Sequence, residues 1–280
     1  MVFTNNTIPD YNQVPRILIE NYVNRLFIDL IGREPTDSEM QVEADAMRAS
    51  NASLDSRNAI VQKLMFNTDP REGDGSYREA YIRKFYNDQK GRFLEGVSDD
   101  ALNDEYWVWR SLAVSDSIAG NMLGYSLFMQ EANKITDVMT SRLELQENEI
   151  LFEEMCRRMM FNSIYDDINM NTFNFINASF DDCFGRFPTQ AEYDGVEDAI
   201  EFNGSGALFG LSVNSKLQYL DVLVGSDEFD EGLVRWIYSS LLAREANSVE
   251  IFSAVGIYRT NSNFSAVQQS ILISNEYAGF

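Results

Sequence analysis

The feature that most constrains this chain is an eight-residue corner written three times. It reads GREPTDSE from Gly32, GRFPTQAE from Gly185 and AREANSVE from Ala243. Upstream of the first copy, Ile19, Tyr22, Val23, Leu26, Phe27, Leu30 and Ile31 recur at the spacing of a helix with one apolar stripe. Gly32 supplies the left-handed residue that ends such a helix, and Pro35 forbids its continuation. Thr36, with Glu39 three residues on, is a capping box: the Thr oxygen accepts the Glu39 N–H while the carboxylate reaches back. The corner therefore predicts a helix stop joined to a helix start.

The second copy repeats the scheme, with Phe173, Ile176, Phe180 and Phe184 as the stripe, Gly185 as the stop, Pro188, and Thr189 with Glu192 as the box. In the third, Val234, Ile237, Tyr238 and Leu241 lead into Ala243, Arg244 persists, and Asn247 with Glu250 replaces the Thr box. Each corner is followed by an apolar run with a similar close: AIVQKLMFNTD, LQYLDVLVGSDEF and AVQQSILISNEY. Units that cannot each bury an apolar face alone predict duplicated helical modules packed together. Arg33, Arg186 and Arg244 recur at the corners. They are expected to satisfy helix-terminal carbonyls or to pair with the box Glu, since an anion site has no need of three scattered copies.

YVNRLFIDLIGREPTDSEM with its downstream LMFNTD resembles the opening of an uncharacterised helical domain of planctomycete and Bacteroidetes cell-envelope proteins, whose pattern is an amphipathic RLFLDLLGRPPT helix and corner and a later LLxSPEY. LVGSDEF and ILISNEY are similar to the endings of a helical repeat in bacterial surface and secreted proteins. That family continues with a Trp/His-rich segment where this chain has SYREAYIRKFYNDQKGRF. The resemblance implies an extracytoplasmic setting, at the cell envelope or outer-membrane surface and in lipoprotein company, and an assembly role. It brings no activity with it.

The chain divides on this reading into an extended N-terminal arm (1–16, with Pro9 and Pro15), a first module (17–76), a central helical block (77–165), a second module (166–231) and a third (232–280). In the central block Gly120 and Gly124 are expected to interrupt a helix, and Ile135 to Tyr165 gives the longest helical pattern. NSIYDDINMNTFNF, rich in Asn and Asp, reads as a loop or frayed turn. No period-two run exceeds four residues, so the expected fold is all-α, a multi-helical bundle of helix-corner-helix modules with no sizeable sheet.

Composition then narrows the chemistry. There is no histidine, which removes Ser-His-Asp and Cys-His nucleophiles and every imidazole-ligated metal or haem site. Cys156 and Cys183 are too far apart for a CxxC motif and sit in apolar contexts, so they read as buried free thiols. With 44 acidic against 22 basic residues the formal net charge is −22, and no Lys/Arg cluster offers a phosphate-binding face, so nucleic acid is not an expected partner. No run is apolar enough to span a membrane, and a lipid anchor would have to lie on a segment preceding Met1. No cofactor or metal motif is legible; DPREGDGSYRE at Asp69–Glu79 misses EF-hand spacing and reads as a Pro/Gly turn.

Two candidate surfaces remain. EYWVWR, with Tyr106, Trp107 and Trp109, would serve as an interface anchor or as an aromatic platform for a sugar ring. The paired carboxylates Asp99/Asp100, Glu153/Glu154, Asp166/Asp167 and Asp181/Asp182 are adjacent and diverge on a helix, so no acid and nucleophile of a glycosidase can be placed. The expected function is a non-enzymatic accessory or structural subunit docking through aromatic-rich faces on a larger envelope complex. The alternatives are a glycan-binding or carboxylate-only glycan-hydrolysing surface protein and a viral structural protein.

Overall fold

The computed structural model describes residues 13–260 and 262–280; most of the expected N-terminal arm lies outside the described residues. It is all-α, with fifteen helices and one two-stranded hairpin. In chain order these are α1 (Arg16–Ile31), α2 (Asp37–Ala49), α3 (Leu54–Phe66), α4 (Tyr77–Phe93), α5 (Asp99–Ile118), α6 (Met122–Glu147), α7 (Phe152–Met160), α8 (Ser163–Asn169), α9 (Thr172–Phe184) and α10 (Gln190–Phe202). There follow β1 (Gly206–Leu208), β2 (Leu211–Val213), α11 (Lys216–Val224), α12 (Asp227–Leu242), α13 (Ser248–Arg259), α14 (Phe264–Leu272) and α15 (Asn275–Ala278).

The five sequence segments regroup into two compact units. The first holds the described part of Met1–Tyr81 with Tyr238–Arg244 and Ser265–Phe280. Its centre is α1, whose expected stripe is buried at every position from Ile19 to Ile31. A one-sided helix needs cover, and the C-terminal segment supplies part of it. The Tyr22 hydroxyl donates to the Leu272 carbonyl at 3.0 Å, the Tyr277 hydroxyl donates to Asp29 at 2.7 Å, and Arg25 lies 4.1 Å over the Tyr277 ring while donating to its carbonyl.

The second unit holds Ile82–Ile237 and Glu245–Phe264. Aromatic packing organises its core: Phe85 stacks on Phe264 at 4.0 Å between ring centroids and meets Phe152 and Trp236. Cys156 and Cys183 are buried free thiols, Cys183 lying 3.7 Å from the Met160 sulfur. The strands are three residues each, joined at Phe209 (φ 52°) and Gly210 (φ 81°), two left-handed residues in succession as a tight I′ hairpin turn requires.

Three local expectations are corrected. The pattern from Ile135 to Tyr165 is not one helix: α6 ends where Asn148 turns left-handed (φ 59°), and α7 and α8 follow. Gly120 (φ 79°) does end α5, but Gly124 lies inside the first turn of α6 and does not interrupt it. A Cβ there would sit 1.7 Å from Asp116 Oδ2, so a side chain at 124 would displace the Asp116 carboxylate. NSIYDDINMNTFNF is helical, because its Asn residues act as N-caps rather than loop formers. Asn171 caps α9 by accepting from Asn174 N–H. Buried Asn162 accepts from the N–H groups of Ile164 and Tyr165 and donates to the carbonyls of Arg158 and Met159, splicing the end of α7 to the start of α8.

Asn162→Ala is therefore expected to destabilise the fold by about 2 kcal/mol and Asn171→Ala by about 1 kcal/mol. Chemical denaturation of the two variants checks both the magnitude and the order.

Candidate functional site

The corners form as expected, and their arginines do more than expected. Gly32 (φ 84°) and Gly185 (φ 69°) take the left-handed turn, and at the third corner Ala243 adopts it too (φ 53°). Pro35 and Pro188 follow in the first two. The boxes Thr36/Glu39, Thr189/Glu192 and Asn247/Glu250 are all closed in both directions.

In the first unit Arg33 lays a fork on Glu39, at 2.8 and 2.9 Å, and a second on Asp74, at 2.6 and 3.3 Å. Arg71 and the Tyr77 hydroxyl also reach Glu39, at 2.9 and 2.8 Å, and the Arg71 guanidinium lies 4.0 Å from the Tyr77 ring centroid. Glu39 and Asp74 are both buried. In the second unit Arg186 forks to Glu192 at 2.9 Å through each terminal nitrogen and reaches Glu228 at 2.7 Å. At the third corner Arg244, in the first unit, grips Glu276 at 2.7 Å. At the first corner the Gly32 N–H occupies the Phe27 and Ile28 carbonyls, and the backbone carbonyls that Arg33 and Arg186 bond are those of the next residues, Glu34 and Phe187.

The second acids are what sequence reasoning missed. Asp74 lies on the Pro/Gly turn, whose Arg71↔Gly75 bridge brings it back to the corner. Glu228 and Glu276 belong to the repeated endings GSDEF and SNEY, so the signal was the ending itself. Electrostatics follow the geometry. Burial alone would raise the Glu39 carboxyl, but hydrogen bonds from Arg33, the Thr36 N–H, Tyr77 and the Thr36 hydroxyl hold it far below the ordinary carboxylate range. Glu192, bonded by Arg186, is lowered to about 2. Every carboxylate oxygen of the clamp faces a donor, so the clamps are joints between helices, with no open position for a ligand.

The aromatic segment separates. Trp109 turns inward, its indole N–H donating to Glu105 and Ser163 at 2.7 and 2.9 Å and its ring 5.9 Å from Phe128. Trp107 is half exposed, with Tyr106 edge-on at 5.2 Å. The three rings do not form one flat face. Five of the eight paired carboxylates are held by neighbours: Asp99 by Lys90, Glu153 by Tyr258, Glu154 by Arg157 and Arg158, Asp166 by Lys216, and Asp182 by Tyr165. Burial raises Asp182 to about 6 against the lowering effect of the Tyr165 hydrogen bond.

Two concavities lie within the second unit. A groove of about 610 Å³ between α12 and α13 is lined by Asp227, Glu231, Arg235, Phe252 and Arg259, and Arg259 is already paired with Asp227 and Asp230. A smaller pocket of about 230 Å³ holds the Lys216–Asp166 pair over Phe175. Among the described residues no group of three or more Cys, Asp or Glu side chains is arranged to hold a metal ion, and no helix is long and apolar enough to cross a membrane.

The α5–α6 hairpin carries an exposed apolar surface. Of the 20 residues of α5 only Leu102 and Ala113 are buried, and α6 buries nothing before Ala132. Between them Trp107, Val108, Leu112, Val114, Ile118, Met122, Leu123 and Leu127 are exposed, Ile118 at 83% and Leu123 at 72%. From Tyr106 to Met129 the only charged side chains are Arg110 and Asp116. Soluble surfaces do not ordinarily carry a contiguous apolar patch of this kind. Compared with known proteins, the chain matches no family model, no curated protein and no solved structure.

Arg33→Met, which takes the Arg33 fork from buried Glu39 and Asp74 and leaves Glu39 with Arg71 and Tyr77, is expected to cost about 3 kcal/mol. Arg33→Lys should recover little of it, because one ammonium cannot fork to two carboxylates. Urea denaturation of both variants measures this. The acid response has two opposed parts. Glu192, lowered from 4.5 to about 2, contributes stability that is present above 4.5 and lost as pH falls towards 2. Asp182, raised from 3.8 to about 6, contributes stability that is present below 3.8 and lost as pH rises through 6. Glu192→Gln should flatten the stability profile at the acid end and Asp182→Asn should flatten it between pH 3.8 and 6, both read from denaturation midpoints against pH.

Proposed function

We propose that this chain is a non-enzymatic structural subunit of a larger cell-envelope assembly, with the α5–α6 hairpin as its assembly contact. The observation that carries this reading is the run of exposed apolar side chains from Trp107 to Leu127, in a stretch whose only charged residues are Arg110 and Asp116. On a chain of net charge −22, such a stretch is out of keeping with a surface meant only for water. The closed corner clamps support the non-enzymatic part, since their arginines and carboxylates are committed to one another. The resemblance of the corner and its endings to helical envelope and surface proteins supports the setting.

The test is a mild-detergent pull-down from native membranes with the tagged chain beside an Ile118→Glu/Leu123→Glu variant. Both positions are exposed, so the variant is expected to keep the wild-type circular dichroism. Envelope proteins that co-purify with the wild type and are lost from the variant uphold the reading; equal recovery on both, or none on either, ends it.

A further inference from the structure

The outer side of α5 carries a pattern that packing within the hairpin leaves unused. Trp107, Ser111, Val114 and Ile118 follow at i, i+4, i+7 and i+11, the spacing of a helix-pairing seam, and all four are exposed. Buried Ala113 marks a different side of the same helix. On α6, Leu123 and Leu127 repeat the i, i+4 step and are also exposed. A helix that is apolar on more than one side belongs inside a larger helical layer.

We propose that this hairpin pairs with the same hairpin of a second copy of the chain, in a two-fold contact of four helices. The inference rests on the assembly reading above and names its partner. Three observations favour a second copy. First, the stretch from Tyr106 to Met129 is formally neutral, one Arg against one Asp, so its recognition is not by opposite charge; a basic partner would be drawn to the acidic remainder of the chain instead. Second, two hairpins face to face are a small arrangement that covers such seams, and an isologous contact lets one seam serve both copies. Third, the apolar side chains of the seam, Trp107, Val114, Ile118, Leu123 and Leu127, each leave between 43% and 83% of their surface open, on the order of several hundred Å² toward the roughly 800 Å² that each partner gives to a standard interface. A lipid surface fits less well, because interfacial helices carry a Lys/Arg-rich polar face and the stretch from Tyr106 to Met129 has Arg110 alone.

The two acidic bodies repel each other, which fixes the sign of the salt dependence. Self-association through a neutral seam should strengthen as ionic strength rises from about 0.1 M to about 1 M, where the screening length shrinks from about 10 Å to about 3 Å. Contact between a basic partner and the acidic surface would weaken over the same range. The experiment is sedimentation equilibrium of the purified chain across that range, with Ile118→Glu, Leu123→Glu and, as a control outside the hairpin, Phe252→Glu on exposed α13. The expected result is a dimer favoured by salt, weakened roughly thirtyfold or more by either hairpin variant and unchanged by the control. A monomer at all salt concentrations overturns the proposal. If the hairpin then still captures envelope proteins, the partner is heterologous and the assembly reading stands. If it instead co-sediments with phosphatidylcholine vesicles, the occupant is lipid. If it does neither, both readings fall. A dimer indifferent to the hairpin variants also overturns the proposal.

Discussion

The arginine of each corner is the interaction on which the modules depend. A helix stop followed by a capped helix start sets the direction of the chain but does not hold the two helices at a fixed angle. Arg33 and Arg186 do that by binding two carboxylates at once, one on the helix that begins at the corner and one at a later point of the chain. The guanidinium suits this task because its planar fork offers parallel donors on two edges, which an ammonium cannot. Its position on aromatic rings, Phe27 for Arg33 and Phe180 and Phe184 for Arg186, ties the same group to the apolar stripe of the preceding helix. One side chain therefore joins three pieces of structure.

This arrangement explains why the repeated ending accompanies the repeated corner. In GSDEF and SNEY the serine caps a helix, through Phe229 N–H and Tyr277 N–H, and the glutamate reaches the arginine while the aromatic enters the core. The first module reaches the same result by another route, with Asp74 delivered by a short turned loop. The clamps also account for part of the acid content. Carboxylates that would only add to self-repulsion on an exposed surface are instead neutralised locally, and the remainder leave the chain strongly acidic.

Against that background the α5–α6 hairpin stands out by contrast. From Tyr106 to Met129 it carries only Arg110 and Asp116, and most of the large apolar side chains of that stretch lie open.

Much of the framework was legible in the chain itself. The α1 stripe, the stops at Gly32 and Gly185 and the three capping boxes are local, because a helix end must satisfy its own backbone donors and acceptors within a few residues. The all-α fold followed from the same periodicity. The misreadings were local as well: Asn162 and Asn171 belong to a residue type that serves both loops and caps, and only the flanking helices decide which. What sequence could not decide was pairing across distance. That Arg33 meets Asp74 and Arg186 meets Glu228 depends on intervening helices folding back to the corner, and no spacing rule encodes that return. The same holds for exposure. Trp107 and Trp109 look alike in EYWVWR, yet one hydrogen-bonds inward to Ser163 and the other faces outward, because burial is a property of what packs around a helix and not of the helix alone.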